Sequence, residues 1–282
     1  MPSNIRINNR VVSTLQVGDV IAQSAYYGQS FVFITAFDPD AATYIEAVEA
    51  ADEQTLEAGV KLAIDGFVTG CKADGIWDAI KASCILAGAR TLNGALVPLA
   101  GDAPTNFNFV SDDYDRVTGL KGDGSTKYLD TNRGNTADPQ DNVHHSLFVG
   151  APWSSLGSRI LMGAGFSNNA SMIRRHDSGE MRLYSRNSEN YDQAPDFAEG
   201  FVSVSRSASS NFEVRIFGET GIRDASSGPP PETNVNVFRS EIASGQYFEG
   251  IISFYSIGEA IYPDALDARV TTLMTEIEAA LT

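Results

Sequence analysis

Cysteine is nearly absent from this sequence: Cys71 and Cys84 are the only two in 282 residues. Two thiols do not complete a four-ligand zinc site. Both lie on apolar faces, where a buried thiol acts as a small hydrophobe. No run of about 18 apolar residues occurs, so neither a membrane span nor membrane insertion is expected. The opening Met1-Pro2-Ser3-Asn4 is polar and lacks the apolar centre of a secretory signal, which points to synthesis and maturation in a cytosol. Basic residues are scarce, 20 Lys and Arg against 36 Asp and Glu, for a formal net charge of −16. That deficit argues against nucleic acid as a partner, because phosphate neutralisation needs clustered cations. Catalytic signatures are missing too. There is no Gly-x-Ser-x-Gly elbow, no phosphate-binding loop and no dinucleotide fingerprint; Gly163-Ala164-Gly165 begins like one but lacks the third glycine and a following helix.

The chain is long enough for two domains and to bury about three quarters of its unfolded surface. Its composition shifts twice. Residues 1–36 read as an N-terminal β arm, with alternation in Val11-Val12-Ser13-Thr14-Leu15 and Ser30-Phe31-Val32-Phe33-Ile34-Thr35. Residues 37–100 read as a helical module. Asp38-Pro39 supplies an N-cap and a proline at the first helical position. Tyr44, Ile45 and Val48 then share one side, and Leu56, Val60, Ile64, Phe67 and Cys71 form a stripe on a second helix. A third helix is expected over Ile76, Trp77, Ile80 and Cys84, ending near Gly88. Between residues 37 and 57 stand seven acidic side chains and no basic one: a solvated face, or a docking surface for a basic partner.

Residues 101–282 read as a β-sandwich closed by a helix. Phe212, Val214 and Ile216 alternate with polar neighbours, and Gly250 to Ile257 is almost continuously apolar, as for a strand covered on both faces. Turn clusters such as Ser227-Gly228-Pro229-Pro230-Pro231 separate many short strands. Pro263 starts a last helix whose Leu266, Val270, Leu273, Ile277 and Ala280 recur with 4-3-4-3 spacing, suited to packing on the chain's own domain or on another subunit. The fold class is α+β, mainly β.

The stretch Gly119 to Thr131, "GLKGDGSTKYLDT", carries three glycines in six residues around Asp123, which suits a tight hairpin. Together with "YFEGIISFYSIGEAIYPDALDARVTTLMTEI" downstream, it resembles the two ends of a concanavalin A-like (laminin G-like) sandwich, over about residues 105–282. The segment Phe37 to Gly101, followed by "PTNFNF", resembles a helical module of tailed-bacteriophage structural proteins. These resemblances imply a virion protein of tail-fibre, tail-associated or capsid-decoration type, made in the host cytoplasm. Its partners would be other virion proteins of capsid or tail, its N-terminal part the attachment and its lectin-like domain displayed. They imply a homo-oligomer, with a trimer favoured, in which the arm joins a neighbouring subunit or the particle by strand addition.

Concanavalin-like glucanases set their carboxylates in a Glu-x-Asp-x-x-Glu pattern, because a retaining mechanism holds the pair about 5 Å apart. No such spacing occurs here: Glu213 stands alone, and Glu241 and Glu249 are eight apart. The reading is therefore a non-enzymatic structural protein, with a receptor-binding lectin for host-surface polysaccharide as the alternative and a depolymerase behind it. "LDTNRGNTADPQDNVHH" resembles the calcium loop of legume lectins, with Asp130, Asn135, Asp138 and His144 as the matching residues. Tyr128 replaces the acidic ligand and the Asn and Asp are displaced by one, so an Asx-rich turn accounts for the same residues and no metal is assigned. His144 and His145 point to opposite faces if they lie on a strand, and with His176 are expected at the surface or rim. Trp153, Tyr184, Tyr191, Asn168 and Asn169 are available for stacking on or hydrogen bonding to sugar, but none is assigned a glycan. No catalytic residue and no cofactor is assigned.

Overall fold

The computed structural model describes residues 15–17, 20–27, 30–34, 37–152, 157–165, 169–177, 179–188, 192–193, 199–241 and 245–282. The first three stretches and 192–193 are described as backbone only. In the arm, β1 (Leu15–Val17), β2 (Val20–Tyr27) and β3 (Ser30–Ile34) form an antiparallel sheet of their own.

The next segment holds α1 (Pro39–Asp52), α2 (Ala58–Ala73), β4 (Ile80–Ile85) and the single-turn α3 (Leu92–Ala95). The Asp38 side chain accepts from the Asp40 N–H at 3.0 Å with Pro39 at the first turn, the N-terminal arrangement that its sequence predicts. Leu56, Val60, Ile64, Phe67 and Cys71 are all buried, as the stripe requires. Both thiols are buried, and burial pushes each up to about 12, so neither ionises near neutrality.

The sandwich is built from fourteen further strands among the described residues. They are β5 (Thr105–Phe107), β6 (Tyr114–Asp115), β7 (Gly119–Lys121), β8 (Tyr128–Gly134), β9 (Val143–Val149), β10 (Arg159–Ala164) and β11 (Ala170–Arg175). They continue as β12 (Met181–Asn187), β13 (Asp192–Gln193), β14 (Gly200–Arg206), β15 (Asn211–Ile216), β16 (Glu219–Asp224), β17 (Asn234–Val237) and β18 (Ile251–Gly258). One sheet runs β13-β12-β11-β10-β17-β8-β5 and the other β16-β15-β14-β9-β18-β7-β6. Every ladder between named strands is antiparallel. The mainly β, sandwich-plus-helices architecture read from the sequence is the one observed.

Between the sheets lies one apolar core, with Leu120, Leu147, Val202 and Val214 from one side and Leu129, Leu161, Leu183 and Val237 from the other. Phe212, Val214 and Ile216 all point into it. The second sheet is apolar on its outer face too, where Phe148, Phe201, Phe254 and Ile85 meet α1, α2 and the last helix, α4 (Pro263–Leu281). This double covering is why β18 reads as a continuous apolar run. Leu266, Val270, Leu273 and Ile277 of α4 are buried in that layer, which settles the helix onto its own chain. From β15, Arg215 reaches outward to Asp267 of α4 at 2.7 Å.

Three local expectations are corrected. The third helix is absent: Ile80–Ile85 forms β4, which pairs with β18 from Phe254 to Gly258. A run of six residues is short enough for either state, and the open edge of β18 beyond β7 decides it. The Gly-Asp-Gly turn is a crossover rather than a hairpin, since β7 belongs to one sheet and β8 to the other. Asp123 organises it by accepting from the backbone N–H groups of Ser125, Thr126 and Lys127 and from the Thr126 hydroxyl. Only Gly124 takes positive φ, +73°; Gly122 is needed because a Cβ there would meet the Phe248 carbonyl oxygen at 2.0 Å. Finally, His144 and His145 are buried rather than at the rim.

Much of the acidic run is consumed internally. Asp38 and Asp40 pair with Lys72, Glu49 with Lys61, and Glu57 with Arg90 and Arg116. Asp52 is buried and accepts from the N–H groups of Arg90 and Thr91 and the Thr91 hydroxyl. Glu46 and Glu53 remain exposed.

Candidate functional site

Helices cover the outer face of the second sheet, and the outer face of the first sheet is buried across β10, β11 and β12 around Ile160, Met172 and Tyr184; its β8–β5 side carries the exposed positions on which side chains can meet a ligand. On β8 the period of two sends Leu129 and Thr131 inward and Tyr128 and Asp130 outward. In the ladder, Phe107 of β5 lies opposite Tyr128, and Thr105 opposite Asp130. The Phe107 and Tyr128 rings stack with centroids 4.3 Å apart and planes 4° from parallel. The Arg239 guanidinium lies 4.4 Å from the Tyr128 centroid and 5.2 Å from that of Tyr247. Tyr247 meets Tyr128 edge-on at 6.1 Å. Tyr128 is thus clamped between Phe107 and Arg239, because two groups this near its centroid occupy opposite ring faces. Phe107 is 37% exposed.

Arg239 is fixed by its own hydrogen bonds: Nη1 donates to the Tyr247 hydroxyl at 2.9 Å, Nε to the Ser240 carbonyl at 3.1 Å and Nη2 to the Glu241 carbonyl at 2.5 Å. These bonds hold the guanidinium over the Tyr128 ring, and since all three acceptors are neutral its positive charge remains at the stack. Burial pushes the Tyr128 phenol above its ordinary range; Arg239 opposes this, and Asp130 and Glu241 lie near enough to add to the rise.

Beside the stack opens a cleft of about 380 Å³ lined by Gly134, Thr136, Glu232, Thr233, Asn234 and Glu241. Asn234 Nδ2 donates to both Asp130 carboxylate oxygens, at 3.0 and 3.2 Å, which joins cleft and stack into one strip. Thr233 Oγ1 is buried against the cleft wall without a hydrogen-bond partner among the described residues. Aromatic surface next to amide, hydroxyl and carboxylate groups is the chemistry that grips a molecule apolar on its ring faces and polar at its edges. Glu232 and Glu241, from two separate loops, face one cleft, a juxtaposition that sequence spacing did not reveal.

The four residues of the calcium-loop resemblance do not converge. Asp130 accepts from the Asn132 N–H and Asn234; Asp138 is bound by Arg133 through Nε at 3.1 Å and Nη2 at 2.6 Å. The Asn135 side chain is buried inside the sandwich. His144 donates from Nδ1 to the Glu259 carbonyl at 2.5 Å and accepts the Ser256 hydroxyl at Nε2, 2.8 Å. Among the described residues no group of three or more His, Cys, Asp or Glu side chains is arranged to hold a metal ion. His145 shares the inward face of Leu147, near Arg186, and neither of its ring nitrogens finds a partner among the described residues. Of the residues considered for sugar contact, Tyr184 is buried against Ile160, Ala170 and Met172, and Trp153, Tyr191 and Asn168 lie outside the described residues. Asn169 is described, in a turn at the start of β11, with a positive φ of 63°. Sequence reasoning missed Phe107, Tyr128, Tyr247, Arg239 and Glu232 as a group; the one local signal was the outward parity of Tyr128 and Asp130.

Scanned against known protein families the sequence matches none, and it matches no curated protein. Among solved structures, Trypanosoma rangeli sialidase in complex with sialic acid aligns over 93% of this chain and 44% of its own, at 10% identity and a TM-score of 0.48. Domain 4 of a GH43 extracellular arabinanase from Geobacillus stearothermophilus, in complex with arabinotriose, aligns over 60% of this chain and 82% of its own, at 17% identity and a TM-score of 0.38. The enzymatically active domain of bacteriophage CBA120 tailspike protein 2 aligns over 61% of this chain and 29% of its own, at 12% identity and a TM-score of 0.39. The chain therefore spans less than half of the sialidase and less than a third of the tailspike domain. No helix of the described residues is long and apolar enough to cross a membrane. The matches are mainly glycoside-processing enzymes, and this overturns the expectation that such a chain is non-enzymatic.

Proposed function

We propose that this protein recognises carbohydrate through the strip formed by the Phe107–Tyr128–Arg239 stack and the adjoining cleft, and that it does so on the particle of a tailed phage. The observation that carries the reading is the continuity of a partly exposed aromatic stack with a polar cleft on the β8–β5 side of the first sheet. The sequence resemblance to phage structural proteins supports the setting. In it the arm, residues 1–36, anchors a homotrimer by strand addition and the sandwich is displayed to host-surface polysaccharide.

A glycan array tests recognition directly. The wild-type protein is expected to bind a restricted set of sugars, and Tyr128→Ala to lose at least tenfold in affinity while keeping its melting temperature within a few degrees. Absence of binding to every glycan, or full binding by Tyr128→Ala, refutes the assignment. Deleting residues 1–30 is expected to leave the sandwich folded and to abolish incorporation into particles.

The Glu232–Glu241 pair supports a second reading, hydrolysis of the bound glycan, since glycosidases work with two carboxylates flanking one bond. Release of reducing ends from a bound polysaccharide, lost in Glu232→Gln, is the result that reading requires.

A further inference from the structure

Resting on that carbohydrate reading, we infer that the strip selects glycans without acidic groups and repels sialylated, uronate, sulfated or phosphorylated ones. The charged side chains that line the cleft are Glu232 and Glu241, and Asp130 stands beside it. Glu232 and Glu241 are exposed, and among the described residues no guanidinium or ammonium group pairs with their carboxylates. One cation, Arg239, stands among these three carboxylates: it donates to the Tyr247 hydroxyl and to the Ser240 and Glu241 carbonyls, which are neutral and leave its charge in place. The other cations near the strip are paired. Arg133 is locked to Asp138, and Lys127 to Asp113 at 2.5 Å. Arg159 of β10 is paired with Glu249. Two further arginines, Arg174 and Arg182, belong to β11 and β12, two and three strands from β17, whose Asn234 lines the cleft. At about 4.8 Å per strand these strands stand roughly 10–14 Å away, beyond the Debye length of about 8 Å at physiological salt.

Each acidic group on a ligand would thus meet an excess of negative charge, the carboxylates of Asp130, Glu232 and Glu241 against the single guanidinium of Arg239. The hydroxyl, amide and carboxylate acceptors of the cleft instead suit the hydroxyl and N-acetyl groups of a neutral sugar chain, whose ring faces match the stack. The protein's overall charge of −16 acts in the same direction on the approach of an anionic polymer.

The test is an array printed with neutral hexose and N-acetylhexosamine oligosaccharides beside sialylated, uronate-containing and sulfated ones, read at 50 and 150 mM salt. Binding confined to neutral glycans is expected. The Glu232→Gln/Glu241→Gln double variant should raise the ratio of acidic to neutral binding about tenfold, because each unit charge some 6 Å away in a water-like medium shifts affinity about threefold. Both side chains are exposed, so a melting curve that matches wild type confirms that the variant is folded. Tyr128-dependent binding that favours acidic glycans, or a ratio unmoved by the double variant, overturns the selectivity while leaving the carbohydrate site standing. Absence of any Tyr128-dependent binding overturns both.

Discussion

Lowering the pH from 7.5 to 5 should destabilise this protein well before its carboxylates titrate, because two imidazoles are buried in the sandwich. In the unfolded chain both protonate near pH 6.5. In the folded chain burial holds them neutral. It takes His144 down to about 4, opposed by the Glu259 carbonyl that accepts its Nδ1–H. Burial takes His145 well below its ordinary value, with Arg186, His144 and Arg133 adding to the effect. Between those limits the unfolded state binds protons that the native state does not, so acid favours unfolding. The histidine contribution is complete above about pH 7 and is lost as the pH falls toward 4. At pH 5 His144 alone accounts for about 2 kcal/mol, the linkage value for a group free to protonate at 6.5 when unfolded and held near 4 when folded. His145 adds to this with the same sign. For a domain of this size about 2 kcal/mol corresponds to a fall of roughly 4–8 °C in melting temperature. Paired carboxylates such as Asp123, held far below their usual range by the hydrogen bonds of the Gly-Asp-Gly turn, give way only at lower pH. The window from 7 to 5 therefore isolates the histidines. Urea melts at half-unit steps of pH measure the slope, and a His144→Gln/His145→Leu variant should lose it even if its stability at pH 7.5 is lower. A flat wild-type profile between pH 7.5 and 5 would show that the imidazoles are hydrated or charged in the native state, and the argument would fail.

Three further outcomes are expected. Ile216→Asp sets an unpaired carboxylate between the sheets beside Phe212 and Val214 and should cost roughly 3–5 kcal/mol, enough to unfold a marginal domain; an unchanged urea midpoint would mean that the wrong face of β15 is inward. Asp52→Ala removes the acceptor for two backbone N–H groups and one hydroxyl at the junction of α1 with the loop at Arg90 and Thr91, and should cost about 2–3 kcal/mol by thermal melt. EDTA should leave the melting temperature unchanged, since Asp138 is committed to Arg133 and Asp130 to Asn132 and Asn234; a loss restored by calcium would make Asp130 and Asp138 ligands.

What the sequence determined by itself was local and periodic. The stripe from Leu56 to Cys71, the Asp38-Pro39 start of α1, the alternation of Phe212, Val214 and Ile216, and the spacing of α4 each follow from side chains a few residues apart on one element. Burial on a single face writes that pattern, so it can be read back from the chain. Tertiary structure decided what depends on a distant partner. Ile80–Ile85 becomes a strand because β18 leaves an edge free some 170 residues later. The Asx turn at Asp123 is written locally, but whether the next strand returns to the same sheet or crosses to the other is not. His144 and His145 read as rim residues because polar side chains seldom go inside; β14 and β18 on either side of β9 put them there. The candidate site is the extreme case. Phe107 and Tyr128 meet through the β5–β8 register, and Arg239, Glu241 and Tyr247 reach them only because β17 pairs with β8 across a hundred residues of sequence. A binding surface assembled from separate strands and loops leaves no periodic mark on any one of them, because sheet pairing, and not chain proximity, brings its side chains together.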